Sequence, residues 1–244
     1  MSKVPPLRST GRRVERSTSP DVSFAPDAET ATLDPDAGEP EWRLDDQAST
    51  RKGRESVLKV LEATKSVLIS HGYAGLTLRL VAERADIAHS NVQYYFPTKE
   101  HLVQNFMLYI SSGYRADIKK LLDAIPDNPV ERFVRYIRYY IDDNRTAAVT
   151  IIFAELRAMS QRSDFILDTL DKMYSRYRAQ LEDLLSELNP GLDAATRTLR
   201  AALIISLIDG LMIFIGGKNA RHAALAELGA EAERQILRIA TAPA

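Results

Sequence analysis

An all-α fold is the class that the sequence predicts, and three observations predict it. Apolar residues recur at helical spacing from about residue 55 onward, beginning with Val57, Leu61 and Leu68. No window alternates apolar and polar residues for long enough to predict a strand. Clusters of Pro, Gly, Asp and Asn separate the periodic segments, as turns do. We therefore expect a short N-terminal group of helices followed by a larger C-terminal group.

Residues 1–50 differ in composition from the rest of the chain. They contain six of the eleven prolines and little apolar periodicity, and their charge is basic up to Arg16 and acidic after it. A segment with so few apolar residues cannot bury enough surface to offset the entropy of ordering. We predict a disordered N-terminal arm over 1–50. It does not resemble a signal peptide, because no apolar core follows the basic residues.

The whole-chain charge of −1 hides an uneven distribution. Residues 51–100 carry eight basic and five acidic residues, whereas residues 101–244 carry 18 of each. The near-neutral total therefore does not exclude a nucleic-acid-binding segment. The absence of Cys excludes disulfides, thiolate metal sites and thiol nucleophiles, and the four His residues lack HExxH spacing. We expect no catalytic residues, no metal and no cofactor.

Two short helices joined by a tight turn are predicted within residues 77–96. Thr77 is placed to cap the first helix, and Asp86 lies at the turn, where Asp tolerates left-handed geometry. Each helix has one apolar face, formed by Leu78, Val81, Ala82 and Ala85 in the first and by Ile87, Val92 and Phe96 in the second. This arrangement is a helix-turn-helix motif.

The second helix of such a motif lies in the major groove of DNA. Here it begins with His89, Ser90 and Asn91, which all form hydrogen bonds and carry no negative charge. Asn pairs with adenine through two hydrogen bonds. The alternative is a solvated polar face on a helical core, which is favoured for such residues taken singly. The basic flanks of the segment favour DNA.

Residues 55–105 resemble the DNA-binding domain of TetR/AcrR-type transcriptional regulators. The shared positions are Gly72-Tyr73, Thr77, Val81-Ala82, Asn91, Tyr95-Phe96, Lys99-Glu100 and Leu102. Three positions depart from the family pattern. Asp86 replaces a frequent Gly in the turn, Ala88 replaces a frequent Ser or Thr cap, and Gln93 replaces a frequent Tyr.

The resemblance implies roles for individual residues. The side chains expected to contact DNA phosphates are those of Thr77, Gln93, Tyr94 and Lys99. The side chains expected to read bases are those of Arg79, His89, Ser90 and Asn91. Tyr95 and Phe96 would pack against the next helix, and Arg51, Lys52 and Arg54 would add phosphate contacts that salt weakens.

In regulators of this type the C-terminal helices form a ligand pocket and a dimer interface. The resemblance therefore implies a helix-turn-helix DNA-binding domain over residues 51–100 and a helical domain for effector binding and dimerisation over residues 101–244. The predicted helices are 101–124, 129–143, 147–160, 164–188, 193–215 and 222–241. The side chains expected to line a ligand pocket are Phe106, Met107, Tyr136, Tyr140, Phe153, Met159, Tyr174 and Tyr177, although side chains with this spacing are more often ordinary core. Glu155 and Arg157 lie within an apolar stretch and are candidates to bind a polar ligand group.

Residues 201–217 are apolar nearly all round, apart from Ser206 and Asp209. The stretch is short for a membrane span, which needs about 20 residues. A helix buried both in its own domain and against a second subunit explains the composition better. We therefore expect a homodimer with a four-helix interface that the last helix completes, and no membrane contact.

These observations together predict a cytoplasmic DNA-binding transcriptional regulator. We expect a repressor that a small-molecule effector releases from a double-stranded, pseudo-palindromic DNA operator. Two alternatives remain open. One is a helical enzyme or protein-interaction module whose motif match is fortuitous, and the other is a regulator that acts through a protein partner bound to the acidic arm.

Overall fold

The structure, a computed structural model, describes residues 43–125, 127–217 and 225–243. Within these ranges all regular secondary structure is helical, which confirms the predicted all-α class. The helices are α1 (Leu44–Gln47), α2 (Arg51–Gly75), α3 (Leu78–Ala85), α4 (His89–Tyr95), α5 (Lys99–Asp123), α6 (Pro129–Asp143), α7 (Ala147–Ser160), α8 (Asp164–Leu188), α9 (Ala194–Ile215) and α10 (Leu228–Thr241).

The predicted disordered arm falls mostly on residues 1–42, which lie outside the described residues. Its predicted end at residue 50 needs correction. Leu44–Gln47 forms one helical turn, Ala48 is buried, and Arg54 donates to Asp45 at 2.8 Å. The turn is held in place because Leu44 packs against the hydrophobic core that contains the buried residues of α2. Residues 43–50 therefore pack with the DNA-binding domain.

The predicted boundary at residue 100 does not coincide with a structural division. Helix α5 runs without a break across it, and Leu102, Phe106 and Ile110 lie in the same core as α2 to α4. Helix α7 joins this core as well, through Val149, Ile152, Leu156 and Met159. A second core lies between the end of α5 and helices α6, α8, α9 and α10. The two domains are thus connected through α5 and α7.

The helix bounds agree with the predicted ones within two residues from 99 to 215. Helix α9 begins at Ala194 because Asp193 is its cap and accepts from the Thr196 N–H at 2.9 Å. The last helix differs more: residues 218–224 lie outside the described residues, residues 225–227 form a turn, and α10 begins at Leu228.

Candidate DNA-binding surface and effector cavity

Helices α3 and α4 form the predicted helix-turn-helix. The Thr77 hydroxyl accepts a hydrogen bond from the Leu80 N–H at 3.1 Å, which caps α3. Asp86 ends α3 in the left-handed conformation, with φ 54° and ψ 50°. Val81 and Ala82 are buried against α2, where the small side chain of Ala82 permits close packing. Local sequence therefore determines both the turn and the crossing of the two helices.

Helix α4 turns Val92 into the core and directs its polar residues outward. We use the term recognition surface for the exposed residues Thr77, Arg79, His89, Ser90, Asn91, Gln93 and Tyr94. Tyr94 is 80% exposed, an unusual state for a large aromatic side chain, although its ring lies 5.1 Å from that of Tyr95. Arg79 forms an exposed ion pair with Glu83 at 3.2 Å, and such pairs are weak enough to be exchanged for a DNA contact.

The N-terminus of α4 has no side-chain cap. Ala88 is the N-cap residue, and its methyl side chain cannot accept a capping hydrogen bond. We expect Ala88→Ser to raise the free energy of unfolding by about 1 kcal/mol, because the hydroxyl would accept from an unpaired backbone N–H of α4. Thermal or urea unfolding measures this. Ala88→Val cannot form the cap and is the control, so an equal gain in both variants would contradict the expectation.

Lys99 does not lie with the recognition surface. Its ammonium donates to the Tyr73 carbonyl at 2.5 Å and lies 3.8 Å from the centroid of the Tyr73 ring. Burial lowers the pKa of Lys99, although the nearby Glu100 carboxylate opposes this shift. The structure therefore shows Lys99 as a side chain that joins α5 to the end of α2.

Glu155 of α7 contacts the same end of α2. Its carboxylate accepts from the Tyr73 N–H at 2.8 Å. Gly72 makes this approach possible, because its φ of 63° exposes the next N–H and a Cβ at Gly72 would lie 3.0 Å from the carboxylate. We call Gly72, Tyr73, Lys99 and Glu155 the domain junction. Glu155 was predicted as a candidate for ligand binding, and the structure places it in the junction instead.

The three basic residues at the start of α2 differ in their surroundings. Arg54 donates to Asp45 and to the Ser49 carbonyl, so it holds the N-terminal turn. Arg51 pairs with Glu55 at 3.0 Å on the exposed surface. Lys52 is exposed. Of the three, Arg54 has the most extensive structural role.

A cavity of about 400 Å³ lies among α5, α6, α7, α8 and α9. Four of the predicted pocket residues line it: Tyr140, Phe153, Tyr174 and Tyr177. The Tyr140 and Tyr177 rings lie 4.4 Å apart between their centroids, and Tyr114 stacks on Tyr140 at 5.9 Å. The cavity wall therefore contains a cluster of aromatic rings, and the cavity volume is typical of small-molecule sites.

The other predicted pocket residues do not line the cavity. Phe106, Met107 and Met159 are buried in the core that α5 and α7 share with the DNA-binding domain. Tyr136 lies behind the cavity wall, with its ring 5.0 Å from Tyr140. Their residue types resemble those of the lining, but they lie on the parts of their helices that pack against other helices.

Five charged residues line the cavity: Arg115, Asp143, Arg176, Asp183 and Asp209. Asp209 accepts from Arg157 at 2.7 Å and from the Tyr174 hydroxyl at 2.6 Å, so Arg157 lies beside the cavity as an ion-pair partner. Asp143 is only 3% exposed and accepts from the Tyr114 hydroxyl. Burial raises the pKa of Asp143 to about 6.

Sequence reasoning missed Asp143 as a cavity residue and treated it as part of a helix end. One signal was present. Asp143 follows Tyr140 by three residues and Tyr136 by seven, so it continues the buried face of α6. An acidic residue on an apolar helical face is uncommon without a function or a partner.

Comparison with known proteins decides the family. The model described as "Bacterial regulatory proteins, tetR family" matches residues 60–106, and the model described as "BetI-type transcriptional repressor, C-terminal" matches residues 129–242. The chain belongs to the TetR family. It is therefore a DNA-binding transcriptional regulator rather than an enzyme, and operator DNA is its partner. The alternative of a fortuitous motif match is wrong, because both parts of this TetR-family chain match regulator models.

Individual relatives agree with this family. The "HTH-type transcriptional repressor KstR" of Mycobacterium tuberculosis is 28% identical over 172 residues, which cover 68% of this chain and 76% of the relative. The repressor of the same name from Rhodococcus jostii is 37% identical over 59 residues, 24% of this chain and 28% of that protein.

Solved structures share the fold of this TetR-family chain. A TetR-family regulator from Rhodococcus sp. has a TM-score of 0.63 at 18% identity, covering 77% of this chain and 99% of its own. Salmonella enterica GusR has a TM-score of 0.62 at 16% identity, covering 80% of this chain and 100% of its own.

Proposed function

We propose that this TetR-family chain is a cytoplasmic repressor that binds a pseudo-palindromic operator as a homodimer and is released by a small molecule in the cavity. The relatives named as transcriptional repressors support repression rather than activation. The observation that carries the proposal is the position of α7. Phe153 of α7 lines the cavity, and Glu155, two residues later, contacts the DNA-binding domain.

Helix α7 offers a short physical connection between ligand and DNA. Arg157 holds its cavity side through Asp209 and Tyr174, while Glu155 holds the Tyr73 N–H. A ligand that displaces Phe153, or that breaks the ion pair between Arg157 and Asp209, therefore moves α7. Because α7 also contacts the end of α2 through Glu155, α2 moves with it. Lys99 transmits movement of α5 to the same residue, Tyr73.

The proposed mechanism is a shift between two populations of the dimer. In one, the two α4 helices are spaced to enter successive major grooves, about 34 Å apart on one face of DNA. The ligand-bound cavity favours another spacing, in which only one recognition surface fits its half-site. A ligand shifts this equilibrium only by its difference in affinity for the two states.

An exposed apolar face on α9 supports the homodimer. Leu203 is 50% exposed, Leu199 71%, Ile213 67% and Phe214 49%, and all lie on one side of the helix. The opposite side contributes Ile204, Ile208, Leu211 and Ile215 to the second core. A contiguous exposed apolar face of this kind is typical of a subunit interface. Helix α10, which packs on α9, would complete a four-helix contact with the second copy.

By length and composition alone, α9 could also cross a membrane, and one third of its most apolar 18-residue stretch is buried in the fold. Its position in the fold favours the dimer. Arg200 on this helix donates to the Ala242 carbonyl at 2.6 Å, and Asp209 pairs with Arg157. Insertion into lipid would break these contacts and expose both charges to hydrocarbon, which is costly.

The DNA-binding role of Asn91 provides a direct test. We expect Asn91→Ala to weaken operator binding by about 1–3 kcal/mol and to leave binding to unrelated DNA nearly unchanged, because the amide reads a base. Fluorescence anisotropy over a range of salt concentrations measures both affinities.

Lys52→Ala is the matched comparison for Asn91→Ala. If Lys52 contacts a phosphate, its loss weakens binding to all sequences alike and reduces the slope of log affinity against log salt by about 1. Equal losses on operator and unrelated DNA in Asn91→Ala would show that Asn91 reads no base.

A further inference from the structure

Two buried polar atoms in the cavity wall have no hydrogen-bond partner among the described residues. They are Oδ1 of Asp143 and the hydroxyl oxygen of Tyr177. The residues lie on different helices, α6 and α8, and both line the cavity. Buried polar atoms without partners are rare in folded proteins, and each calls for a physical explanation.

Asp209, another carboxylate of the cavity, provides the contrast. Asp209 has the Arg157 guanidinium at 2.7 Å, so its charge is neutralised within the protein. Asp143 accepts from the Tyr114 hydroxyl at Oδ2, and the nearby charge of Lys65 lowers its pKa without a hydrogen bond to Oδ1. The cavity thus contains a carboxylate that is hydrogen-bonded to a cation and a buried carboxylate whose Oδ1 has no hydrogen-bond partner among the described residues.

Tyrosine rings lie in the same cavity wall as the Asp143 carboxylate. Tyr114 contacts it directly, and the Tyr140 and Tyr177 rings lie 4.4 Å apart beside it in the same cavity. The faces of Tyr rings attract cations, and the attraction grows when the site is shielded from water. A cation is therefore favoured by both the carboxylate and the rings.

We propose that the cavity binds a protonated organic amine with an apolar remainder. Its ammonium donates to Asp143 Oδ1 and to the Tyr177 hydroxyl oxygen, and its apolar part lies against Phe153, Met173 and Ile208. This proposal names the ligand class of the effector site and rests on the proposed function for its regulatory meaning.

Three probes of matched shape test the ligand class by isothermal titration calorimetry on the full chain. They are 4-phenylbutylamine, 4-phenylbutan-1-ol and 4-phenylbutyrate. We expect the amine to bind at least tenfold more tightly than the alcohol, because hydrogen bonds to charged groups are stronger than neutral ones, and we expect the carboxylate to bind most weakly. An alcohol that binds as tightly as the amine, or a carboxylate that binds more tightly, overturns the proposal.

Two variants locate the ammonium. Tyr177→Phe removes a hydroxyl that has no partner, so the fold is retained, while amine affinity falls several-fold. Asp143→Asn removes the charge, and amine affinity falls tenfold or more with little change for the alcohol. Asp183→Asn, at an exposed carboxylate of the same cavity, is the control. If Asp143→Asn and Tyr177→Phe lose no more affinity for the amine than Asp183→Asn does, the proposal is overturned.

The same samples separate this inference from the proposed function. Operator release is measured independently by fluorescence anisotropy with each probe. An amine that binds through Asp143 and leaves operator affinity unchanged supports the amine site and contradicts effector control. A neutral compound that enters the cavity and releases the operator, while amines do not bind, supports effector control and overturns the amine site.

Discussion

Replacing Leu203 by Arg is expected to produce a folded monomer that binds the operator on the order of 100-fold or more weakly, since the second half-site no longer adds avidity. Leu203 lies in the middle of the exposed apolar face of α9 and is half exposed in the single chain. In the dimer this position would be buried against the second copy, where an unpaired guanidinium is costly. In the monomer it remains in water, so the helical fold is retained.

Val130→Arg is the matched control for this prediction. Val130 is a 51% exposed apolar residue at the start of α6, which is a different helix from the one that carries the proposed interface. We expect it to leave both the oligomeric state and operator affinity unchanged. Analytical ultracentrifugation gives the mass, circular dichroism gives the helix content, and anisotropy gives the affinity. A Leu203→Arg protein that stays dimeric with normal operator affinity would place the interface elsewhere.

Asp143→Asn is expected to stabilise the free protein by up to about 3 kcal/mol at pH 7.5. The pKa of Asp143 is about 6 in the fold against 3.8 for an ordinary Asp, because burial disfavours the charged carboxylate. A difference of this size corresponds to about 1.4 kcal/mol per pH unit. Asn keeps an oxygen that accepts from the Tyr114 hydroxyl but carries no charge to bury.

The contribution of Asp143 to the free energy of unfolding depends on pH. Between about pH 4 and 6 the folded chain retains a proton on Asp143 that the unfolded chain has lost, so the contribution of Asp143 to stability falls as pH rises through this window. The nearby Asp117 carboxylate raises this pKa, whereas the Tyr114 hydroxyl and Lys65 lower it.

Urea unfolding of wild type and Asp143→Asn at pH 4, 6 and 7.5 measures the difference. We expect it to be small at pH 4 and largest at pH 7.5, with Asp183→Asn within about 0.5 kcal/mol of wild type throughout. A variant that is less stable than wild type at pH 7.5 would show that the Asp143 charge is already compensated in the free protein.

The helix-turn-helix could be predicted from the sequence because its determinants are local. The Thr77 cap, the left-handed Asp86 and the apolar spacing around Val92 all lie within one short segment, and each has a direct structural consequence. The helix ends within residues 101–244 could be predicted for the same reason, because capping and helix-breaking residues act on the helix next to them.

The cavity and the domain junction could be predicted only in part because they depend on packing between distant segments. Tyr140 and Tyr136 lie one turn apart on α6, yet one lines the cavity and the other lies behind it. Glu155 accepts from Tyr73, 82 residues earlier in the chain, and no local pattern reports such a contact. The sequence shows that Asp143 continues a buried helical face. Only the folded structure shows that its Oδ1 has no hydrogen-bond partner among the described residues.

The coupling between cavity and operator is tested most directly by operator affinity during an amine titration. With 4-phenylbutylamine bound, as calorimetry verifies, we predict that the operator dissociation constant of wild type rises tenfold or more, within the usual range of coupling free energies of 1–3 kcal/mol. In Glu155→Ala, which lacks the contact to the Tyr73 N–H, the amine should still bind and the rise should shrink toward none. An operator dissociation constant that is unchanged at a saturated wild-type cavity would contradict the proposed control.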